Sequence, residues 1–363
     1  MRVFFHVQHL LGIGHLKRAA TLARALRTAG FEVTLASGGM PVESIGMESI
    51  PVLQLPPATS VDFKHLLDED GRPVDEAWKK RRTEALLDAY QASKADVLLI
   101  ELFPFGRRQL RFELLPLLES AGDALVVCSV RDLLQPRPAR EDEMLQCFEY
   151  YFDQVLVHGD PRVATFERSF GKVGRLAGKL HYTGYVVEEE ERKGDAGQGE
   201  VLVSAGGGAV GRRLLETAIA ARPLSALRDR TWRVLAGVNA GDIGDLKGEG
   251  VIVERARNDF TLRLRNCVLS VSQAGYNTVM ETLQARARAV LVPFAEGGEA
   301  EQTLRARLLA ERGLAQMVEE DSLTPGRLAA AIDRAAVAPR PAAGAVDLGG
   351  ARRTAELLLE WLK

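Results

Sequence analysis

Residues 1–28, MRVFFHVQHLLGIGHLKRAATLARALRT, decide the fold. Arg2–Val7 is a short apolar run with the composition of a strand, while Leu16–Thr28 spaces its apolar residues as a helix does. Between them Leu11-Gly12-Ile13-Gly14-His15 forms a glycine-bearing turn. Strand, glycine turn and helix make the opening half of a βαβ unit, and the pattern recurs. Strands are expected at Glu32–Ala36, Val97–Ile100, Ala124–Val130 and Gln154–Val157, and helices at Glu76–Ser93 and Gln109–Ser120. An acidic stretch at 188–199 interrupts the pattern, which then restarts with strands at Glu200–Ser204, Trp232–Ala236, Val251–Glu254, Val268–Val271 and Ala289–Val292. Strands alternating with helices predict parallel sheets covered on both faces. The expected class is α/β, with two Rossmann-like doubly wound domains over 1–187 and 200–345. Residues 188–199 would link them, and 346–363 would form a last helix free to pack back on the N-terminal domain.

The chain has 363 residues, 46% of them hydrophobic, and 47 Lys plus Arg balance 49 Asp plus Glu for a net charge of -2. That length supports two cores, and the near-neutral balance leaves no global footprint for nucleic acid. Any anion site must come from local geometry. Cys128, Cys147 and Cys267 are too few and too scattered for a disulfide framework or a cysteine zinc site, so a reducing, cytoplasmic setting is expected. No run approaches the roughly 18–20 apolar residues of a membrane-spanning helix, which leaves peripheral contact with the inner face of a membrane as the only membrane option.

In open α/β sheets, ligands bind beyond the carboxyl ends of strands, where helix N-termini favour anions. Four glycine-bearing junctions fit. At the first, Gly14 lets the backbone approach a donor ligand closely and His15 projects from the start of the helix that follows, where the dipole favours the neutral imidazole that a general base requires. At the second, Gly206, Gly208 and Gly211 satisfy G-x-G-x-x-G, with Gly207 between them. The next strand ends Leu235-Ala236-Gly237-Val238-Asn239 with no acid for a ribose, so this loop suits phosphate rather than a dinucleotide. The third, Val271–Glu281, carries Ser272, Gln273 and Gly275 into a helix whose first-turn amides, at Tyr276, Asn277 and Thr278, have no acceptor within the helix, with Glu281 placed to accept from vicinal hydroxyls. The fourth, Pro293–Gln302, joins glycines to carboxylates, a mixture that suits sugar hydroxyls.

Glu101 and Asp132 also end strands and compete with His15 as the base. His158 ends another strand, as a site residue or a loop stabiliser. His6 and His9 stand three apart on a strand, which sets them on opposite faces and argues against a metal pair. Leu102–Leu118 mixes aromatics with Arg107, Arg108 and Arg111: it reads either as a packed helix with a basic solvated face, or as a receiver for a phosphorylated acceptor or an anionic membrane surface.

The stretches GIGHLKRA at 12–19, TGYVV at 183–187, GGGAVG at 206–211, AGYNTVME at 274–281 and PFAEGGEAEQTLRA at 293–306 resemble, in order and spacing, the GT-B glycosyltransferases of family 28. The resemblance implies two domains facing an interdomain cleft, with the acceptor mainly on the first and a nucleotide-sugar donor on the second. It also implies an inverting transfer that needs no metal and no cofactor beyond the nucleotide sugar, UDP-linked by that likeness. Gly206, Gly207, Gly208, Gly275 and the amides of 276–278 would then meet the diphosphate, Glu281 the ribose, and Glu301 and Gln302 the donor sugar. Departures from the family pattern are Gly208 in place of a serine, Glu188 in place of a cation, Glu301 in place of a glutamine and Arg305 in place of an asparagine. The expected partners are a nucleotide sugar and a small-molecule or lipid-linked acceptor, without nucleic acid. The alternatives are a nucleotide-sugar epimerase or hydrolase of the same fold, and a non-catalytic nucleotide-sugar-binding protein.

Overall fold

Thirteen strands, all parallel to their neighbours, form two sheets in a computed structural model that describes residues 1–363 apart from 11, 43–49, 61–64, 190, 207–210, 238–240 and 296–299. The chain divides into two units. Unit 1 comprises Met1–Pro161, Thr165–Val186 and Gly349–Lys363, and unit 2 comprises Arg162–Ala164 and Val187–Leu348.

In unit 1 the strands are β1 (Arg2–Val7), β2 (Glu32–Ser37), β3 (Val52–Gln54), β4 (Val97–Glu101), β5 (Leu125–Arg131), β6 (Gln154–His158) and β7 (Leu180–Tyr182). Their order is β3-β2-β1-β4-β5-β6-β7, so the winding reverses between β1 and β4. Helices α1 (Gly14–Thr28), α2 (Glu76–Ser93), α3 (Arg111–Glu119) and α4 (Glu141–Tyr151) cover the sheet. Coverage of both faces explains why Val97-Leu98-Leu99-Ile100 is apolar without alternation. Leu98 and Ile100 join one core with Phe4 and Cys128, whereas Val97 and Leu99 join another with Phe5 and the α1 residues Leu16, Leu22 and Leu26.

Unit 2 repeats the plan. Strands β8 (Val201–Ser204), β9 (Trp232–Ala236), β10 (Val251–Arg255), β11 (Leu269–Ser272), β12 (Ala289–Leu291) and β13 (Gln316–Met317) run in the order β10-β9-β8-β11-β12-β13, with the reversal between β8 and β11. Its helices are α5 (Arg212–Ala221), α6 (Phe260–Asn266), α7 (Tyr276–Gln284), α8 (Glu301–Glu311) and α9 (Pro325–Val337). A ligand of a doubly wound sheet sits at such a reversal. Each unit therefore offers one favoured place, beyond β1 and β4 in the first and beyond β8 and β11 in the second.

The 188–199 stretch is fastened to unit 2, where Asn266 Nδ2 donates to the carbonyls of Gly194 (2.8 Å) and Ala196 (3.0 Å). The last helix, α10 (Gly350–Trp361), belongs to unit 1: its Ala355, Leu357 and Leu358 are buried in the core that contains α1. Val186 pairs with Gly349, and the Gly350 amide donates to the Tyr185 carbonyl at 3.0 Å. A Cβ on residue 350 would lie 2.4 Å from the Gly184 carbonyl oxygen, so this approach admits only glycine.

Candidate active site

His15 and Glu101 meet at the reversal of unit 1. α1 begins one residue before His15, and β4 ends at Glu101. The parallel register pairs His6 of β1 with Ile100, so the two chain segments leave the sheet side by side. His15 Nδ1 lies 2.7 Å from Glu101 Oε1, and Arg18, one helical turn further along α1, donates to the same oxygen. Burial acts to raise the Glu101 carboxyl, but attraction to His15 and its hydrogen bond, with Arg18 and Arg107, hold it down at about 2. An ionised Glu101 can only accept, so the His15 Nδ1 carries the proton and Nε2 keeps its lone pair. Burial pushes His15 down to about 3 against the pull of Glu101, helped by repulsion from Arg107 and Arg131. The ring is therefore neutral at pH 7 and its side chain is 16% exposed. An oriented, neutral, reachable imidazole on a buried carboxylate is the arrangement of a general base and its orienting group.

The other strand-end candidates sit differently. Asp132 is fully buried immediately after β5. His158 is also fully buried: Ser129 Oγ lies 2.8 Å from Nε2 and Thr183 Oγ1 lies 2.9 Å from Nδ1, so both ring nitrogens are occupied inside the fold. That makes it a loop stabiliser. His6 and His9 are buried apart, His6 with Nε2 3.6 Å from Glu113 and His9 with Nε2 3.0 Å from the Met40 carbonyl. Among the described residues no group of three His, Cys, Asp or Glu is placed to hold a metal. Glu113 itself forms a fully buried pair with Arg82, which also donates to Gly38, Pro56 and Gln8.

The stretch after β4 turns its first aromatics inward. Phe103 and Phe105 are buried, and Phe105 packs against Phe148, Phe166 and Phe170 with ring centroids 5.2–5.9 Å apart. They anchor the loop and offer nothing to a membrane. Leu102 (φ 70°) and Arg107 (φ 59°) at its two ends are left-handed, a state that costs of order 1–3 kcal/mol for a side-chain-bearing residue and concentrates at functional loops. Among the described residues no helix is long and apolar enough to cross a membrane.

In unit 2 the loops after β8 and β11 converge. A Cβ on Gly206 (φ +70°) would lie 3.7 Å from Thr278 Oγ1, and one on Gly211 (φ +115°) would lie 2.7 Å from Ala205 Cβ and 3.1 Å from Gln273 Nε2. Gly211 thus requires glycine twice over, for its backbone and for its packing. Gly207 and Gly208 lie outside the described residues, as does 296–299 of the fourth junction. Gly275 has an ordinary extended backbone, φ −63° and ψ 143°, and a Cβ there would meet nothing within 4 Å. The space beside the start of α7 is open, with Gly275, Asn277 and Thr278 half-buried around it and Tyr276 buried. Ser272 and Gln273 are buried beneath the turn, Ser272 completely, and Glu281 is 7% exposed in the second turn of α7.

Glu301 and Arg305 prove to be one device. Both are buried on α8, Arg305 donates to Glu301 Oε1 at 2.6 Å and to the Ala274 carbonyl at 2.9 Å, and its guanidinium lies over the Tyr276 ring at 5.6 Å. Two of the four positions that depart from the family pattern thus pair with each other and brace the turn into α7. Gln302 Oε1 accepts from the Phe294 amide at 3.2 Å and so ties α8 to the loop after β12. The i,i+4 spacing of Glu301 and Arg305 was the signal for this pair.

Residues 246–343, within unit 2, match the glycosyltransferase family 28 C-terminal domain. Two relatives are a UDP-N-acetylglucosamine--N-acetylmuramyl-(pentapeptide) pyrophosphoryl-undecaprenol N-acetylglucosamine transferase of Synechococcus sp. (strain CC9902), 30% identical over 129 residues, and an uncharacterized glycosyltransferase of Methanopyrus kandleri, 30% identical over 159 residues. The first alignment covers 34% of this chain and 35% of the relative, the second 44% of each, so the chain matches less than half the length of either. Whole-chain likeness extends to solved structures: the glycotransferase of kitacinnamycin (TM-score 0.67, 18% identity, covering 100% of this chain and 99% of that one) and Acinetobacter baumannii MurG (TM-score 0.61, 16% identity, 99% and 100%). The chain has the GT-B glycosyltransferase fold, and residues 246–343 of its second unit match the C-terminal domain of glycosyltransferase family 28.

Proposed function

We propose that the protein is an inverting glycosyltransferase that moves a sugar from a nucleotide diphosphate donor to an acceptor hydroxyl, with His15 as the base and no metal required. The observation that carries this reading is the His15–Glu101 pair at the reversal of unit 1, in a chain whose second unit has the family 28 domain. Glu101 orients the ring, and Nε2 takes the proton from the acceptor hydroxyl as that oxygen attacks the anomeric carbon. The bond to the departing diphosphate breaks on the opposite side, which inverts the configuration. Charge on the leaving group falls to the amides at the start of α7 and its dipole, fixed before the reaction and therefore effective without reorganisation. The open space at Gly275 and the bracing of Ala274 by Arg305 support that role. Asp132, fully buried, is the weaker candidate for the base.

The cyanobacterial relative acts by name on UDP-N-acetylglucosamine, and we take UDP as the nucleotide here. The sugar is left open, because Glu301, expected to face it, is engaged with Arg305. Tests begin with titration of UDP and UDP-sugars, followed by product analysis over a panel of hydroxyl acceptors including lipid-linked ones. An inverted anomeric product, lost in His15→Ala while UDP still binds, is the expected result. Wild-type turnover in His15→Ala would overturn the base assignment, and sugar release or isomerisation from the donor alone would favour a hydrolase or epimerase.

A further inference from the structure

Arg107 is a charged side chain at the His15 site that the chemistry above leaves idle. It ends the loop whose buried Phe103 and Phe105 fix its path, and its left-handed backbone turns the chain there. The next two arginines face away: Arg108 Nε lies 3.3 Å from Glu143 on α4, and Arg111 donates to the same carboxylate. Arg107 is held differently: it is half-buried, it is attracted to Glu101, and its Nε is buried without a hydrogen-bond partner among the described residues. The charges that act on it are Glu101, Arg131 and Arg18. Glu101 Oε1 serves His15 and Arg18, and neither its buried Oε2 nor the buried Nε of Arg107 has a hydrogen-bond partner among the described residues, so Arg107 feels the carboxylate without being bonded to it and keeps an unfilled donor.

We propose that Arg107 receives an oxyanion of the acceptor, a phosphate or a carboxylate, so that the hydroxyl presented to His15 belongs to an anionic molecule. A guanidinium offers two parallel N–H donors that match either group, and a buried donor left empty in the free protein gains most when an anion fills it. Burial, with repulsion from Arg131 and Arg18, brings the Arg107 guanidinium down to about 10 against the attraction of Glu101, and an incoming anion would offset that repulsion. The same anion would offset the repulsion from Arg107 and Arg131 that helps depress His15, making the base stronger once the acceptor is seated. The acceptor role rests on the assignment of His15 as the base; the anion site does not.

The test is titration of the protein with inorganic phosphate and, separately, acetate at constant ionic strength, read from the ring resonances of histidine-labelled protein, with His15 assigned from a His15→Gln variant. A saturable shift of the His15 resonance is expected, weakened at least tenfold in Arg107→Gln, partly retained in Arg107→Lys, and unchanged within twofold in Arg108→Gln. Which anion saturates at lower concentration distinguishes a phosphate from a carboxylate acceptor. No saturable shift in the wild type, or equal affinity in Arg107→Gln, would overturn the proposal. Once a donor is known, an acceptor and its neutral ester should differ at least tenfold in kcat/KM, and Arg107→Gln should erase that ratio; turnover with no such ratio would reject acceptor recognition while leaving the transferase reading intact. Saturation at Arg107 in a protein whose His15→Ala variant turns over normally would reject His15 as the base instead.

Discussion

Glu101→Gln tests the centre of the proposed site without needing a substrate. Glu101 is 2% exposed, accepts from His15 at 2.7 Å and is the counter-ion of Arg18, itself 3% exposed. Glutamine keeps the size but removes the charge, leaving the Arg18 guanidinium buried beside a neutral amide. Breaking one partner of such a buried pair costs about 3–5 kcal/mol. For a unit of this size, where 1 kcal/mol moves the midpoint by about 2–4 °C, the expected fall in Tm is roughly 6–20 °C. The assay is thermal unfolding at pH 7.5 followed by Trp78 and Trp361, both in unit 1, with Trp232 of unit 2 replaced by phenylalanine in both proteins. The Glu101 carboxyl is depressed below its ordinary 4.5 to about 2, so its contribution is complete above pH 4.5 and is lost as pH falls through 2. Variant and wild type should therefore converge in that acid window. A loss below about 1 kcal/mol at pH 7.5, or a gap that persists undiminished toward pH 2, would refute the claim that an ionised Glu101 holds this cluster together.

Other consequences can be measured with equal directness. His15 and His158 are both pushed by burial from 6.5 to about 3, so the neutral forms stabilise the fold above pH 6.5 and that stability drains away as pH falls toward 3; a Tm that rises between pH 6.5 and 4 would contradict this. Gly275→Ala should fold normally, within about ±0.5 kcal/mol, because its Cβ meets nothing within 4 Å, yet bind UDP at least tenfold more weakly by calorimetry; unchanged affinity would remove the diphosphate from the start of α7. Glu301→Ala should cost about 3–5 kcal/mol in urea unfolding by stranding Arg305, and Glu301→Leu with Arg305→Met should recover most of it. A double variant as unstable as the single one would mean that the pair is not what braces the turn.

The sheets were legible because strands covered on both faces must be apolar throughout, and Val97–Ile100 and Val201–Val203 carry that signature undiluted. β3, β7 and β13, of two or three residues, are too short to show a period. His15 could be singled out from its place at a helix start, but its partner could not. Glu101 is 86 residues away, and only the pairing of β1 with β4 sets it beside His15. Glu301 shows the opposite case: taken position by position it is assigned to the sugar, whereas the arginine one turn along the same helix, which spacing alone sets beside it, also engages its carboxylate.

The return of α10 to unit 1 has a consequence for the order in which the protein is made. Residues 1–186 leave the ribosome with the part of α1 that α10 covers still exposed, because Leu357 and Leu358 have yet to be translated. All of 187–348 must be synthesised first, which at about 5–20 residues per second takes roughly ten to thirty seconds. Unit 2, nearly contiguous in sequence, can close within that interval. The unit translated first is thus the one that finishes folding, and deletion of α10 will be felt in the core around α1.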